Sequence, residues 1–146
     1  MERKNEKKYE LLFEHASSGT MAISTATVLL RVGTREIKHA ELSEDGPVDA
    51  IFQAIKTASG ADCTLINWSI SNINIGSDSP GKCVVTLNCS NRIVHGMGRN
   101  KDILVASAEA YIDALNNLDR LIEAEIEEAR KLEYPIDDHG QANLSK

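Results

Sequence analysis

Two short motifs sixty residues apart constrain this chain more than any other feature. "AIFQAI" (50–55) and "AYIDAL" (110–115) share one apolar pattern, and each follows three short runs of strand-like alternation. An amphipathic helix supplies such a match easily. A whole order of elements that repeats is explained most economically by internal duplication. The expected fold is therefore α+β, built as two βββα units related by an internal pseudo-twofold, with the helices packed on the sheets.

In the first half, Tyr9, Leu11 and Phe13 alternate with Glu10 and Glu14, a period-two strand signal that "SSGT" (17–20) breaks. "TATVLLRV" (25–32) places Val28, Leu30 and Val32 on one face, and Gly33-Thr34 turns it into "REIKHAEL" (35–42), which predicts a hairpin. Gly46 followed by Pro47 reads as an N-cap and first helical position, because the proline's missing N–H would be unpaired there anyway. Val48, Ile51, Phe52 and Ile55 then form an apolar stripe that Gly60 stops.

The second half repeats this order. "CTLINWSISNINI" (63–75) is rich in β-formers, yet Ile66, Trp68 and Ile70 share one parity while Ile73 and Ile75 take the other, so a bulge or bend is expected near Ser71-Asn72. "GSDSPG" (76–81) is a loop, "KCVVTLNC" (82–89) alternates, Ser90-Asn91 turns the chain and "RIVHGMG" (92–98) returns. A long helix starts near Asp102, carries Leu104, Ala108, Tyr111, Leu115, Leu118 and Ile122, and ends before Pro135. Its stretch beyond Asn117 is heavily charged and is expected to be a solvated end. The chain thus divides into a polar arm or linker (1–8), one domain (9–133, with units 9–60 and 61–133) and a flexible tail (134–146).

The net charge of -6 and pI near 5.2 argue against a nucleic-acid partner, and 4% aromatics supply no stacking platform. No run approaches the about 20 apolar residues of a membrane helix, and "MERKNEKKYE" has no apolar stretch behind it, so neither a membrane nor a signal peptide is expected. Cys63, Cys83 and Cys89 form no CxxC and leave one over in any pairing. They are expected to be buried thiols of a reducing, cytoplasmic environment.

His15, His39, His95 and His139 form no HxH or HExxH pair, so no metal is expected. "GMGRN" (96–100) lacks the third glycine and the Lys-Ser/Thr of a phosphate loop, and no nucleophile motif occurs. The chain offers no catalytic set and implies no cofactor. What remains is the start of the first helix. Backbone N–H groups at Gly46 suit a carboxylate, and Asp45 and Asp49 suit an ammonium. An amino acid carries both groups. Acidic residues in a first helical turn also stabilise the helix dipole without any ligand.

"YELLFEHASSG", "ATVLLRV", "DGPVDAIFQAI", "LINWSISNI", the "GSDSPG" loop and "DILVASAEAYIDALNNL" together resemble the C-terminal regulatory domain of 2-isopropylmalate synthase and citramalate synthase. The resemblance runs in order from Tyr9 to Leu118. It implies two βββα units, a homodimer, and an end-product effector (leucine or isoleucine) bound near the dimer interface to inhibit a separate TIM-barrel catalytic domain. Carried over by position, it implies effector contacts at Gly46, Val48 and Asp49, at Leu65, Trp68 and Asn72, and at Ser79 and Gly81. Trp68 stands where tyrosine is common, and Asp49 where a small residue can occur, so the pocket's shape and effector are open. The HxH metal motif of that family's barrel is absent, which suits either a fragment or a free-standing regulatory domain. The competing expectation is a structural module that only dimerises or docks onto a synthase catalytic subunit, with helix 119–133 as its contact surface.

Overall fold

A computed structural model of the chain describes residues 7–18, 23–72 and 81–133. The elements run β1 (Tyr9–Ser18), β2 (Ser24–Val32), β3 (Arg35–Ser43), α1 (Pro47–Ser59), β4 (Thr64–Asn72), β5 (Gly81–Cys89), β6 (Arg92–Asn100) and α2 (Ile103–Glu133). They form two three-stranded antiparallel sheets, β1-β2-β3 and β4-β5-β6, each followed by its helix. The architecture is two βββα units.

The repeat extends to details that no periodicity displays. β2 and β5 begin at Ser24 and Gly81, β3 and β6 at Arg35 and Arg92, so both pairs share an offset of 57. The first strand of each unit carries a bulge at the same place, between Leu11 and Phe13 in β1 and between Leu65 and Asn67 in β4. An extra residue reverses the faces of everything beyond it, which corrects two expectations. Phe13 does not continue the face of Tyr9 and Leu11; it points outward and is half exposed, while Glu14 turns inward opposite Val28. In β4 the irregularity lies at Ile66 rather than at Ser71-Asn72, where pairing to Lys82 and Gly81 is regular. Leu65, Trp68 and Ile70 therefore share the side of the buried Leu87, Val85 and Cys83. Ile73 and Ile75 lie outside the described residues.

The turns follow from local chemistry. Gly33 takes φ 65° and donates its N–H to the Lys8 carbonyl at 2.9 Å. Ser90 and Asn91 both adopt positive φ, the signature of a tight two-residue hairpin. α1 starts on Gly46-Pro47 and stops at Gly60, whose left-handed conformation returns its N–H to the Lys56 carbonyl. α2 is capped by Asp102, whose carboxylate accepts the Leu104 N–H at 2.9 Å.

One core joins the units, with Val28 and Leu30 of β2, Ile51 and Ile55 of α1, Val85 and Leu87 of β5, and Leu115 of α2 fully buried. Each such side chain contributes roughly 1.5–3 kcal/mol on burial. The closest packing is between α2 and β6. A Cβ at Gly96 would lie 2.8 Å from the Ala114 Cα, and one at Gly98 would lie 3.0 Å from the Ala106 carbonyl carbon. The glycines of "GMG" are thus the seat of a helix whose facing residues are Ala106, Ala110 and Ala114. The equivalent positions of β3 hold His39 and Glu41, hydrogen-bonded to each other at 2.6 Å, with Thr57 of α1 donating to Glu41. There α1 rests on side chains instead of backbone.

α2 also reaches the other sheet. The Asn116 amide accepts the Tyr9 N–H and donates to the Tyr9 carbonyl, both at 2.9 Å, so it acts as one more rung on the free edge of β1. On its other flank, Asp113 accepts the Met97 N–H and Asn117 donates to the His95 carbonyl, which closes the free edge of β6.

The cysteines are corrected in part. All three are buried, but Cys63 and Cys89 are joined as a disulfide across the β4–β5 pair, and only Cys83 is a free thiol. The hairpin brings together two residues that spacing along the chain does not connect.

Gly96→Ala is expected to cost about 1–3 kcal/mol, because the added methyl has only helix backbone to displace; a lowered urea midpoint with unchanged slope checks this. Asn116→Leu strands two backbone groups and is expected to cost about 1–3 kcal/mol for each. Faster hydrogen exchange at the Tyr9 amide would be its local signature.

Candidate functional site

The start of α1 is a built loop. Gly46 has φ 105° and ψ 172°, a backbone that L side chains rarely adopt, and its carbonyl accepts the Ala50 N–H at 3.1 Å. No side chain caps the helix. Ser43 organises the approach: its hydroxyl donates to Asp49 at 2.6 Å and accepts the Asp45 N–H at 2.9 Å. Asp49 sits in the first turn, where a carboxylate also complements the helix dipole.

Asp49 is one wall of a cleft of about 150 Å³ between α1 and β4. Asp49, Phe52, Gln53 and Lys56 come from α1, Leu65 from β4 and Tyr111 from α2. The Phe52 and Tyr111 rings close its floor, with centroids 5.1 Å apart and planes tilted by 35°. Burial pushes the Tyr111 phenol up to about 12. The cleft therefore joins an anionic group, a cationic group and an apolar patch.

A second cleft, of about 340 Å³, lies between α2 and β1 and is lined by Glu109, Ile112, Asp113 and Asn116 against Tyr9, Glu10 and Leu11. Asp49 and Glu109, Phe52 and Ile112, Gln53 and Asp113, Lys56 and Asn116 are each sixty residues apart, the spacing of the two sequence motifs. The pseudo-twofold relates the clefts. In the second, Asn116 and Asp113 are spent on strand edges, and desolvation raises the Glu109 carboxyl. In the first, Lys56 replaces the amide that binds the strand.

The candidate residues do not all meet. Gly46, Val48 and Asp49 share one end of α1, and Leu65 joins Asp49 in the cleft. Trp68 lies three residues further along β4, where its indole N–H donates to Ser107 of α2 at 3.0 Å. The Ser107 hydroxyl in turn lies 3.4 Å from the Cys83 thiol. Asn72 pairs with Gly81 at the far end of the β4–β5 ladder. Ser79 lies outside the described residues.

Gln53, Lys56 and Tyr111 were not among the candidates. Gln53 and Lys56 follow Asp49 at i+4 and i+7 on one helical face, a signal open to a search outward from Asp49. Tyr111 comes from sixty residues away and carried no local signal. Glu14 is a further inward-facing group: its carboxyl is raised by desolvation first and then by the Asp102 charge, with His15 opposing. Its Oε2 has no hydrogen-bond partner among the described residues. Among those residues there is also no cluster of three or more His, Cys, Asp or Glu that would hold a metal, and no helix long and apolar enough to cross a membrane.

Residues 1–119 match the family described as the LeuA allosteric (dimerisation) domain. The chain belongs to this family. It is 40% identical over 116 residues to 2-isopropylmalate synthase of Syntrophus aciditrophicus, covering 80% of this chain and 22% of that protein. Against the synthase of Nitrosomonas europaea it is 42% identical over 118 residues, covering 81% and 23%. Against that of Pyrococcus furiosus it is 38% identical over 117 residues, covering 80% and 23%. The chain thus matches less than a quarter of the length of these relatives. As a LeuA dimerisation domain it is suited to pairing with a second copy of itself, and its two βββα units are the architecture that the sequence resemblance implied.

The Tyr111 phenol titrates near 10 in an unfolded chain and near 12 here, so folding favours the neutral form. That stabilisation is complete below pH 10 and is lost as pH rises through 12, on the order of 2 kcal/mol in all. Urea unfolding of the wild type and of Tyr111→Phe across this range isolates it: the wild type is expected to lose stability relative to the variant as pH rises.

Proposed function

We propose that this LeuA domain senses a branched-chain amino acid, leucine or isoleucine, and transmits its binding to a 2-isopropylmalate synthase-type catalytic part, in cis or in trans. The observation that carries the proposal is the complementarity of the α1–β4 cleft to a zwitterion with an apolar side chain. Asp49 meets the ammonium, Lys56 meets the carboxylate, and Phe52, Leu65 and Tyr111 receive the side chain. The resemblance adds Trp68, Asn72, Ser79 and Gly81 as further proposed contacts, and Val48 stands beside Asp49 on α1.

A cleft of about 150 Å³ is smaller than the roughly 300–1,000 Å³ of most ligand sites, which suits a site finished by a second copy. An effector that contacts both copies stabilises one relative arrangement of them over another, and that differential contact is the physical route by which binding alters a distant centre.

Titration with leucine, isoleucine, valine and lysine, read by Trp68 emission and thermal shift, tests the proposal. Leucine or isoleucine is expected to raise the melting temperature and change the emission. Asp49→Asn is expected to weaken binding by about tenfold or more, the worth of a charge-assisted hydrogen bond. Silence from all four amino acids would overturn the sensing role and favour the purely dimerising or docking module.

A further inference from the structure

We propose that the Cys63–Cys89 disulfide is a reversible latch on the α1–β4 cleft, a thiol–disulfide exchange site through which small thiols set how firmly the two walls are held. The walls belong to different units. α1, which carries Asp49, Phe52, Gln53 and Lys56, packs on β1, β2, β3 and α2, whereas the backbone of β4, which carries Leu65, lies close to β5 alone. Only Gly60, Ala61 and Asp62 separate the end of α1 from Cys63. Within that link the Cys63 N–H donates to the Ala61 carbonyl at 3.1 Å, and the Ala61 N–H donates to the Ser59 hydroxyl at 3.2 Å. The disulfide ties the far end of the link to Cys89, the last residue of β5. It thus pins the joint between one wall and the other.

Three observations make this a latch and not a fixed staple. The β4–β5 ladder runs from Thr64–Asn88 to Asn72–Gly81 without the covalent bond, so both redox states keep the strands paired, and a switch needs two folded states. Cys63 and Cys89 are both buried, but Cys63 lines the cleft together with Lys56, and a cation beside a sulfur favours the thiolate that exchange requires. The remaining cysteine, Cys83, faces Ile70 towards the opposite end of the ladder, about 20 Å away by the rise of an extended strand. It cannot resolve a mixed disulfide at Cys63, so exchange has two end states and no reshuffled third.

The external thiol, as its thiolate, enters the cleft and attacks the Cys63 sulfur. The Cys63–Cys89 bond breaks, and Cys89 leaves as a thiolate that takes up a proton. A second external thiolate then attacks the outer sulfur of the mixed disulfide, releasing Cys63, which is protonated in turn, and forming the external disulfide. Two external thiols have given two electrons and two protons to the protein. Oxidised glutathione reverses the sequence and restores the bond. In the dithiol the two sulfurs part to van der Waals distance, and the link from α1 to β4 loses its tie to β5. The latch goes beyond amino-acid sensing and operates without any ligand in the cleft.

Equilibration of the full chain in mixtures of reduced and oxidised glutathione tests it, with thiols counted by mass after denaturing alkylation. One cooperative step is expected, from a single free thiol at Cys83 to all three cysteines free. Reduction is expected to lower the melting temperature by several degrees with an unchanged circular dichroism spectrum, and to speed hydrogen exchange at the Cys63–Leu65 amides by about tenfold or more. Cys63→Ala and Cys89→Ala are each expected to abolish the redox dependence of both readouts, and Cys83→Ala to retain it. Free thiols at Cys63 and Cys89 in oxidised glutathione would overturn the proposal. So would a bond reduced only when the chain unfolds, or exchange at the start of β4 that is equal in the two states. A leucine titration of each state separates the two ideas. A redox response without a leucine response sinks the sensing role alone, and leucine binding by a chain indifferent to glutathione sinks the latch alone.

Discussion

The contact between α2 and β6 is the constraint on which the rest of the molecule depends. Gly96 and Gly98 remove side chains from one strand, and Ala106, Ala110 and Ala114 reduce them on the helix, so the two backbones meet almost directly. That seat fixes the height and angle of α2. Only at that height do Asp113 and Asn117 reach the edge of β6 while Asn116, on the other flank, reaches Tyr9 in the opposite sheet. A helix held further out would satisfy neither of these two edges, and the two units would lose the polar rungs that join them.

The same contact makes the duplicated halves unequal. His39 and Glu41 stand where Gly96 and Gly98 stand, and Lys56 replaces Asn116. α1 accordingly rests on a layer of polar side chains, and Lys56 stands where Asn116 supplies the rungs that tie α2 to β1. Both halves keep a cleft between helix and first strand, but only in the second half is the strand edge bound by the helix's amide. For a domain of the LeuA dimerisation family this division is physically sensible, because an interface and a ligand site both need surface that the monomer has not already satisfied.

Much of this was legible along the chain. The hairpin turns, the Gly46-Pro47 start and Gly60 stop of α1, and the duplicated order all rest on interactions within a few residues, where side-chain chemistry sets backbone shape directly. The bulges at Leu12 and Ile66 were not legible at their true positions. One extra residue in a strand costs little locally, and its place is chosen by which side chains the opposite layer accepts. That is why Phe13 is outside and Glu14 inside, against simple alternation. Of the candidate residues, Asp49 and Leu65 line one cleft, whereas Trp68 is held against Ser107 of α2.

The sequence by itself determined the elements, their order and the repeat, since strand period, helix period and turn residues act over distances of a few residues. Tertiary structure alone decided which strand edges are closed and which is left open, which cysteines bond, and which residues meet in the cleft. These are relations between groups far apart in the chain. Asn116 is 107 residues from Tyr9, and Cys63 is 26 from Cys89. Their energies depend on distances that exist only after the helices have settled on the sheets.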